Sequence, residues 1–384
     1  MLTTLPKGYL AGTHRLISPE ATLENISPHL ASNLITRCAD VTGLDRIGIP
    51  VYCAIRPKGK TMQVTNGKGL RRVDAKVSAL MEAIEVFHAE NPVCELRAAS
   101  YRDLLREGRR VVRPDTLPEY LHETFFSDDF RIRWVSGEDL LNGEEVWLPS
   151  SAIYISRPRL HAFTTNGLAS GNHIVEATLH AIYEVIERDT IASLKQGDRL
   201  SFTPDRCRLI DTATLPPGLL QYLHGLIAKA EMKLVLIRVK GSIPIQTFMA
   251  IILDSSPFSH ATTVNIGYGS HLDEVVAALR AITEAAQVRL TYIHGSRQDV
   301  KDATYARAHT KLYDFFDRLP ANASWQELSH AMTPDLQADY DETISHLREA
   351  GVKNIYRVNM TREPFEIPVV KVIIPGMSIV KQLF

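Results

Sequence analysis

The stretch SALMEAIE, residues 78–85, sets two carboxylates and a serine on one face of a helix that is otherwise apolar. Ser78, Glu82 and Glu85 fall at i, i+4 and i+7, which share one helical stripe. Val77, Ala79, Leu80, Met81, Ala83, Ile84, Val86 and Phe87 cover the rest of its surface. A helix apolar nearly all round belongs in a protein interior. A carboxylate there is costly unless it is paired or bound to a cation.

The same frame occurs twice more. HAIYEVIE (residues 180–187) places Glu184 and Glu187 after His180, and RAITEAAQ (280–287) places Glu284 and Gln287 after Arg280. Glu176, eleven residues before Glu187, joins the stripe of the second helix. Any single stripe reads equally as the solvated face of an amphipathic helix or as a partner for arginines. Three helices sharing one frame argue for convergence on a cation-filled cavity. Hard carboxylate oxygens without His or Cys ligands suit Mg²⁺, Ca²⁺ or Mn²⁺. A di-iron carboxylate centre competes through the Glu85-x-x-His88 pair, but the second pair it requires is Glu187-x-x-Thr190. His88 then reads as a structural histidine.

The remaining sequence sets the frame for this cavity. The 384 residues carry 43 basic and 44 acidic side chains, a balance that gives no electrostatic reason to expect nucleic acid or an acidic membrane as partner. No stretch approaches a membrane span and the start has no apolar signal core, so the chain reads as soluble and cytoplasmic. Cys38, Cys53, Cys94 and Cys207 are widely spaced, which suggests neither a zinc knuckle nor a disulfide framework.

Residues 15–35 read as an early helix, followed by strands in IGIPVYCAIRP and TMQVTNGKG and by a first long helix over 72–90. RIRWVSGEDLLNGEEVWLP predicts a hairpin turning at Asn142-Gly143. Helices over 172–196 and 273–294, strands in KLVLIRV and IQTFMAIILD, and a last strand in IPVVKVIIPG complete the outline. Segments 97–130 and 295–345 are polar and read as peripheral. Close strand pairs favour an α+β fold with mainly antiparallel sheets around buried helices, and the lack of a linker favours one domain over 1–384. The glycine loops NGKG (66–69) and NGLASGN (166–172), each ahead of an acid helix, suggest anion binding at helix N-termini. Neither is a P-loop, and no Ser/His/Asp order is present. Together with the acid stripes they suggest a polyphosphate bridged by Mg²⁺, with Arg280 supplying positive charge.

At these residues the chain resembles the YcaO family of ATP-dependent enzymes that activate peptide backbone amides. The resemblance runs from GTHRLISPEAT through GKGLRRVDAKVSALMEAIE, NGLASGNHIVEATLHAIYEVIERD and AALRAITEAAQVRL to IPVVKVIIPG. It implies ATP and Mg²⁺ as cofactors, with Glu82, Glu85, Glu176, Glu184, Glu187 and Glu284 holding the metal ions. It also implies nucleotide contacts from Ser78, Asn172 and Arg280, and from a basic residue and a hydroxyl seven apart, matched by Arg15 and Thr22 with Lys7 nearby. No protein nucleophile is implied; Arg280 and Gln287 are candidates for a part in catalysis. The implied reaction adds a nucleophile to an amide carbonyl, transfers the ATP γ-phosphate to its oxygen, and expels phosphate to leave a thioamide, an azoline or an amidine.

TRCADVTGLDRIGIPVYCAIRP and AKVSALMEAIE resemble most the members that install thioamides with a separate TfuA-like partner and a sulfide donor. The ending PGMSIVKQLF, unlike the proline-rich tail of azoline-forming members, points away from cyclodehydration. The family implies a peptide or protein substrate, and dimers are common in it. An azoline- or macroamidine-forming cyclodehydratase and a non-catalytic ATP-binding accessory protein are the alternatives.

Overall fold

The computed structural model describes residues 4–92, 96–196, 199–298, 300–306, 310–328 and 332–379. Cys94 and the last five residues of the tail lie outside them. The chain opens with a strap, residues 4–18, folded back on itself where Tyr9 and Arg15 exchange backbone hydrogen bonds of 3.1 and 3.0 Å. Helix α1 (Pro19–Ile26) follows, capped by Ser18, whose hydroxyl accepts from the Ala21 N–H. It is shorter than the helix expected over 15–35: Pro28, which has no N–H to continue the ladder, sits in the 3₁₀ turn Ser27–His29 that ends it.

Strands β1 (Arg37–Asp40), β2 (Val51–Ile55) and β3 (Val64–Lys68) form a three-stranded antiparallel sheet, with Arg37 opposite Ile55 and Val51 opposite Lys68. Helix α2 (Arg72–Glu90) lies across β3. Gly67 makes the close crossing possible, since a Cβ there would stand 1.9 Å from the Ala79 nitrogen. NGKG is therefore mostly strand, and its first glycine serves helix packing rather than an anion-binding loop.

Next come β4 (Arg97–Ala99), α3 (Tyr101–Arg106), the expected hairpin of β5 (Ile132–Asp139) and β6 (Glu144–Pro149), and α4 (Ser150–Ile153). Gly143 takes the left-handed conformation that the hairpin turn requires, φ +73°. Within NGLASGN the chain forms a short strand, β7 (Leu168–Ser170), before helix α5 (Ile174–Ala192). After the two-residue strands β8 (Lys195–Gln196) and β9 (Arg199–Leu200), a four-stranded antiparallel sheet is built from β10 (Cys207–Ile210), β11 (Lys233–Val239), β12 (Gln246–Leu253) and β13 (Val264–His271). All eight residues of β12 are buried between α7 (Glu274–His294) on one face and a second apolar cluster around Phe316 on the other. Helix α6 (Leu219–Lys229) packs beside α7.

The remaining elements are α8 (Asp302–Ala306), α9 (Thr310–Asp317), α10 (Leu336–Glu349), β14 (Tyr356–Asn359) and β15 (Val369–Ile373). The last two complete a six-stranded sheet in the order β4-β5-β14-β15-β7, with β6 also on β5. Segment 295–345 is not wholly peripheral: Phe316, Trp325 and Leu336 are buried, and Trp325 stacks on Phe248 at 5.7 Å. Its polar composition hides apolar anchors spaced too far apart to read as periodic.

The helices α2, α5 and α7 each pack on the strand that precedes them, β3, β7 and β13 respectively. Each also reaches the next unit, α2 touching β7, α5 touching β13 and α7 touching β3. This closed ring turns the three acid stripes toward one another. The α+β fold with antiparallel sheets around buried helices is as the sequence predicts.

Candidate functional site

Glu82 and Glu85 enter the ring from α2, Glu184 and Glu187 from α5, and Glu284 from α7. Burial pushes Glu82 up to about 7, and the charges of Glu184 and Glu284 add to that while Arg297 and Lys68 oppose it. Burial likewise takes Glu85 to about 8, despite hydrogen bonds from the Ser170 N–H and hydroxyl at 2.8 and 2.6 Å, and Glu82 and Glu184 reinforce the rise. Glu187 is raised to about 7 by burial and by Glu284, and Glu184 is raised by burial. Glu284 goes the other way: burial raises it, but Lys68, with an ion pair of 2.7 Å, Arg188 and Arg280 together hold it below the ordinary carboxylate range.

Protein cations do reach the cluster, as a salt-bridge account of the stripes would require. Arg188 stands 3.7 Å from Glu184 and 3.9 Å from Glu187. Lys371, on β15, gives hydrogen bonds of 2.7 and 2.6 Å to the carbonyls of Thr164 and Asn166, and burial lowers it to about 8. These cations do not bring Glu82, Glu85 and Glu187 back to an ordinary carboxylate range, so the chain alone does not stabilise their charged forms. All-oxygen donors from three helices, close enough to repel one another and, Glu187 apart, only half-buried, fit a hard divalent cation. The di-iron reading lacks its second Glu-x-x-His pair, position 190 being Thr190, and the His88 ring packs edge-on to Phe87 and Phe365.

Glu176 belongs to a second part of the site. Its Oε1 accepts from Arg15 Nη1 at 3.2 Å and from the backbone and side chain of Asn172 at 3.2 and 3.1 Å, while Oε2 accepts from the Leu16 N–H at 2.8 Å. Thr22 donates to Asn172 Oδ1 at 3.0 Å. The four residues Arg15, Thr22, Asn172 and Glu176, whose bonded pairs lie 161 and 150 positions apart across the two segments, are thus one hydrogen-bonded group. Arg15, Glu176, His180 and Arg280 line a common cavity, and the buried Arg280 Nε has no hydrogen-bond partner among the described residues. Ser78 is half-buried one turn before Glu82. Gln287 donates to the Asn66 carbonyl at 3.2 Å, which ties α7 to β3. Lys7 pairs with Asp339 at 2.8 Å, not with the Thr22 group.

Lys68, Ser170, Arg188 and Lys371 are members of the site that helical spacing does not reveal. Lys68 and Ser170 lie inside the glycine stretches NGKG and NGLASGN, where the glycines draw attention away from them. Lys371 is a lone charge in a strand otherwise of Val and Ile, a signal that a sequence can offer.

Residues 66–378 match the family model described as YcaO cyclodehydratase, ATP- and Mg²⁺-binding. A protein of Methanothermobacter thermautotrophicus is 32% identical over 94% of this chain and 94% of its own length. A Rhizobium leguminosarum bv. trifolii protein, described by its position in the tfuA 3′ region, is 33% identical over 95% of this chain and 89% of its own. Among solved structures, YcaO from Methanopyrus kandleri bound with AMPPCP and Mg²⁺ superposes with a TM-score of 0.76 at 22% identity, covering 97% of this chain and 95% of that one. A heterocyclase in complex with substrate and cofactor superposes at 0.79 and 21% identity, over 99% of this chain and 54% of that one. ATP and Mg²⁺, the cofactors that the resemblance implied, are those of the matched family. No helix among the described residues is long and apolar enough to cross a membrane. With the family model spanning most of its length and relatives at about one residue in three, this chain belongs to the YcaO family.

Proposed function

We propose that the chain is an ATP-dependent enzyme that activates a backbone amide of a ribosomal peptide or protein, and that its product is a thioamide made with a sulfide donor. The observation that carries this reading is the convergence of Glu82, Glu85, Glu184 and Glu187 from two helices, crowded by like charge that the chain's own cations do not offset, beside a cavity lined by Arg15 and Arg280. In it the cluster, with Glu284, would hold Mg²⁺, and Glu176, Asn172 and Thr22 would set Arg15 over the nucleotide. Mg²⁺ bound there would offset charge on the phosphates of ATP. Arg280 would contribute its unpaired Nε–H, and Lys68 would limit how many of the five carboxylates need a metal.

The chemistry required is O-phosphorylation of the amide after addition of the nucleophile. Sulfide adds to the carbonyl carbon, the oxygen takes the γ-phosphate of ATP, and the C–O bond breaks with release of phosphate to leave C=S. The Rhizobium relative's place beside tfuA supports a TfuA-like partner. Azoline formation is the second reading, supported by the cyclodehydratase description of the family and the heterocyclase likeness. Location in the cytoplasm and assembly as a homodimer fit the same reading.

Co-expression with a candidate peptide and a TfuA-like protein, followed by mass spectrometry, tests it. Replacement of oxygen by sulfur, dependent on ATP and sulfide, is expected. Loss of water instead would favour the azoline or amidine, and background ATP turnover with every peptide and partner would favour an accessory role.

A further inference from the structure

Behind the Arg15 group lies a buried cluster that the acid stripes do not include. His14, His271 and Asp339 bring ligand atoms within 4.8 Å of one another, a pattern that suggests a metal. Two contacts argue against it. The Asp273 N–H donates to His271 Nδ1 at 2.9 Å, which leaves the proton of the neutral ring on Nε2, and a metal-bound histidine does the reverse, donating through its second nitrogen. Lys7 Nζ meanwhile lies 2.8 Å from Asp339 Oδ2 and 3.1 Å from Oδ1, occupying the carboxylate with a cation of the chain's own.

The cluster is instead a junction. Asp339 stands on α10, Lys7 and His14 on the strap, and Asp273 caps α7 by accepting from the Val275 and Val276 N–H groups at 2.8 and 3.1 Å. His14 lies between the two carboxylates, 3.7 Å from Asp273 and 3.8 Å from Asp339. Thr333 also bonds Asp339 and Lys7, and the Leu336 N–H donates to the Leu5 carbonyl at 2.8 Å. Arg15 is the next residue after His14, and Arg280 is carried by the helix that Asp273 caps.

We propose that Asp339 is a positioning residue for the nucleotide site, fastening the strap so that Arg15 is held on Glu176 and in register with Arg280. The proposal rests on the nucleotide reading above. It gives the polar segment before β14 a function that its distance in sequence conceals. Asp339 lines the same cavity as Arg15 and Arg280, and it is tied to the strap through Lys7 and His14.

Full-length wild type, Asp339→Asn and Lys7→Met are compared by hydrogen–deuterium exchange over residues 5–16 and by equilibrium binding of ATP with excess Mg²⁺. Asp139→Asn serves as the control, since Asp139 is also deeply buried but its side chain bonds Arg110 and Asn354, neither of them on the strap. Both strap variants are expected to exchange faster in residues 5–16 and to bind ATP about tenfold more weakly, the cost typical of a lost supporting contact. The control should lose melting temperature without either change. Should Asp339→Asn fail to fold, Lys7→Met carries the test. Unchanged strap exchange, or faster exchange with unchanged ATP affinity, overturns the proposal. Absence of ATP binding in wild type would instead sink the nucleotide reading, and exchange alone would then decide whether Asp339 anchors the strap.

Discussion

Glu85 and Glu90 lie five residues apart on α2, and their environments are opposite. The Glu90 carboxylate receives two hydrogen bonds from Arg56, at 3.0 and 3.1 Å, and two more from the backbone and hydroxyl of Thr61. Burial alone would raise it, but those contacts outweigh burial and hold it below the ordinary carboxylate range. Among the described residues Glu85 receives hydrogen bonds from Ser170 alone; it faces Glu82 and Glu184 and sits at about 8. A buried carboxylate that the chain satisfies itself is structural. One that the chain crowds with like charges is waiting for a cation from outside.

The sharpest way to break this contrast is to remove each kind of carboxylate. Glu90→Ala strands Arg56, fully buried, and is expected to cost about 3–5 kcal/mol in denaturant unfolding, the range for breaking a buried pair. Glu187→Gln should do the converse: melting temperature without ligand should hold or rise, while ATP turnover falls on the order of 100-fold, as for loss of one element of a charge clamp. A stability loss for Glu187→Gln equal to that of Glu90→Ala would erase the distinction. Smaller in size, Mg²⁺ with ATP at ten times its dissociation constant should stabilise wild type by about 1.4 kcal/mol in thermal unfolding. The same addition should leave Glu187→Gln near its unliganded value.

The smallest effect is a pH slope. Glu85, Glu82 and Glu187 stand at about 8, 7 and 7 in the folded protein against an ordinary 4.5, so between those values the native state holds more protons than the unfolded chain. Stability without metal must then fall as pH rises through that window and level off above it. Glu85→Gln should flatten the slope, and saturating Mg²⁺ should do the same; a slope unchanged by either would count against the cluster as its source.

The sequence makes the three acid helices legible because their stripes repeat at helical spacing in apolar surroundings, and the structure brings Glu82, Glu85, Glu184, Glu187 and Glu284 to one place. Glu176 keeps the same frame yet joins the Arg15 group, because a stripe specifies a face and not how far along the helix its neighbours reach. The compensating cations are harder to see. Lys68 and Lys371 come from strands, where a single charge carries no period, and Asp339 lies on a helix whose polar composition conceals a buried end. Strand β7 escapes notice inside NGLASGN because three residues between glycines read as a loop until β15 pairs with them. Gly67 misleads for a related reason, since a glycine admitting a helix backbone looks in sequence like a glycine admitting a phosphate.

The central claim is that the crowded carboxylates hold Mg²⁺ for ATP. Calorimetric titration of the full-length protein with ATP, in Mg²⁺ and in EDTA, for wild type and Glu187→Gln, tests it most directly. Binding that requires Mg²⁺ and weakens on the order of 100-fold in the variant is the predicted result. Binding of equal strength in EDTA, or in Glu187→Gln, would contradict it.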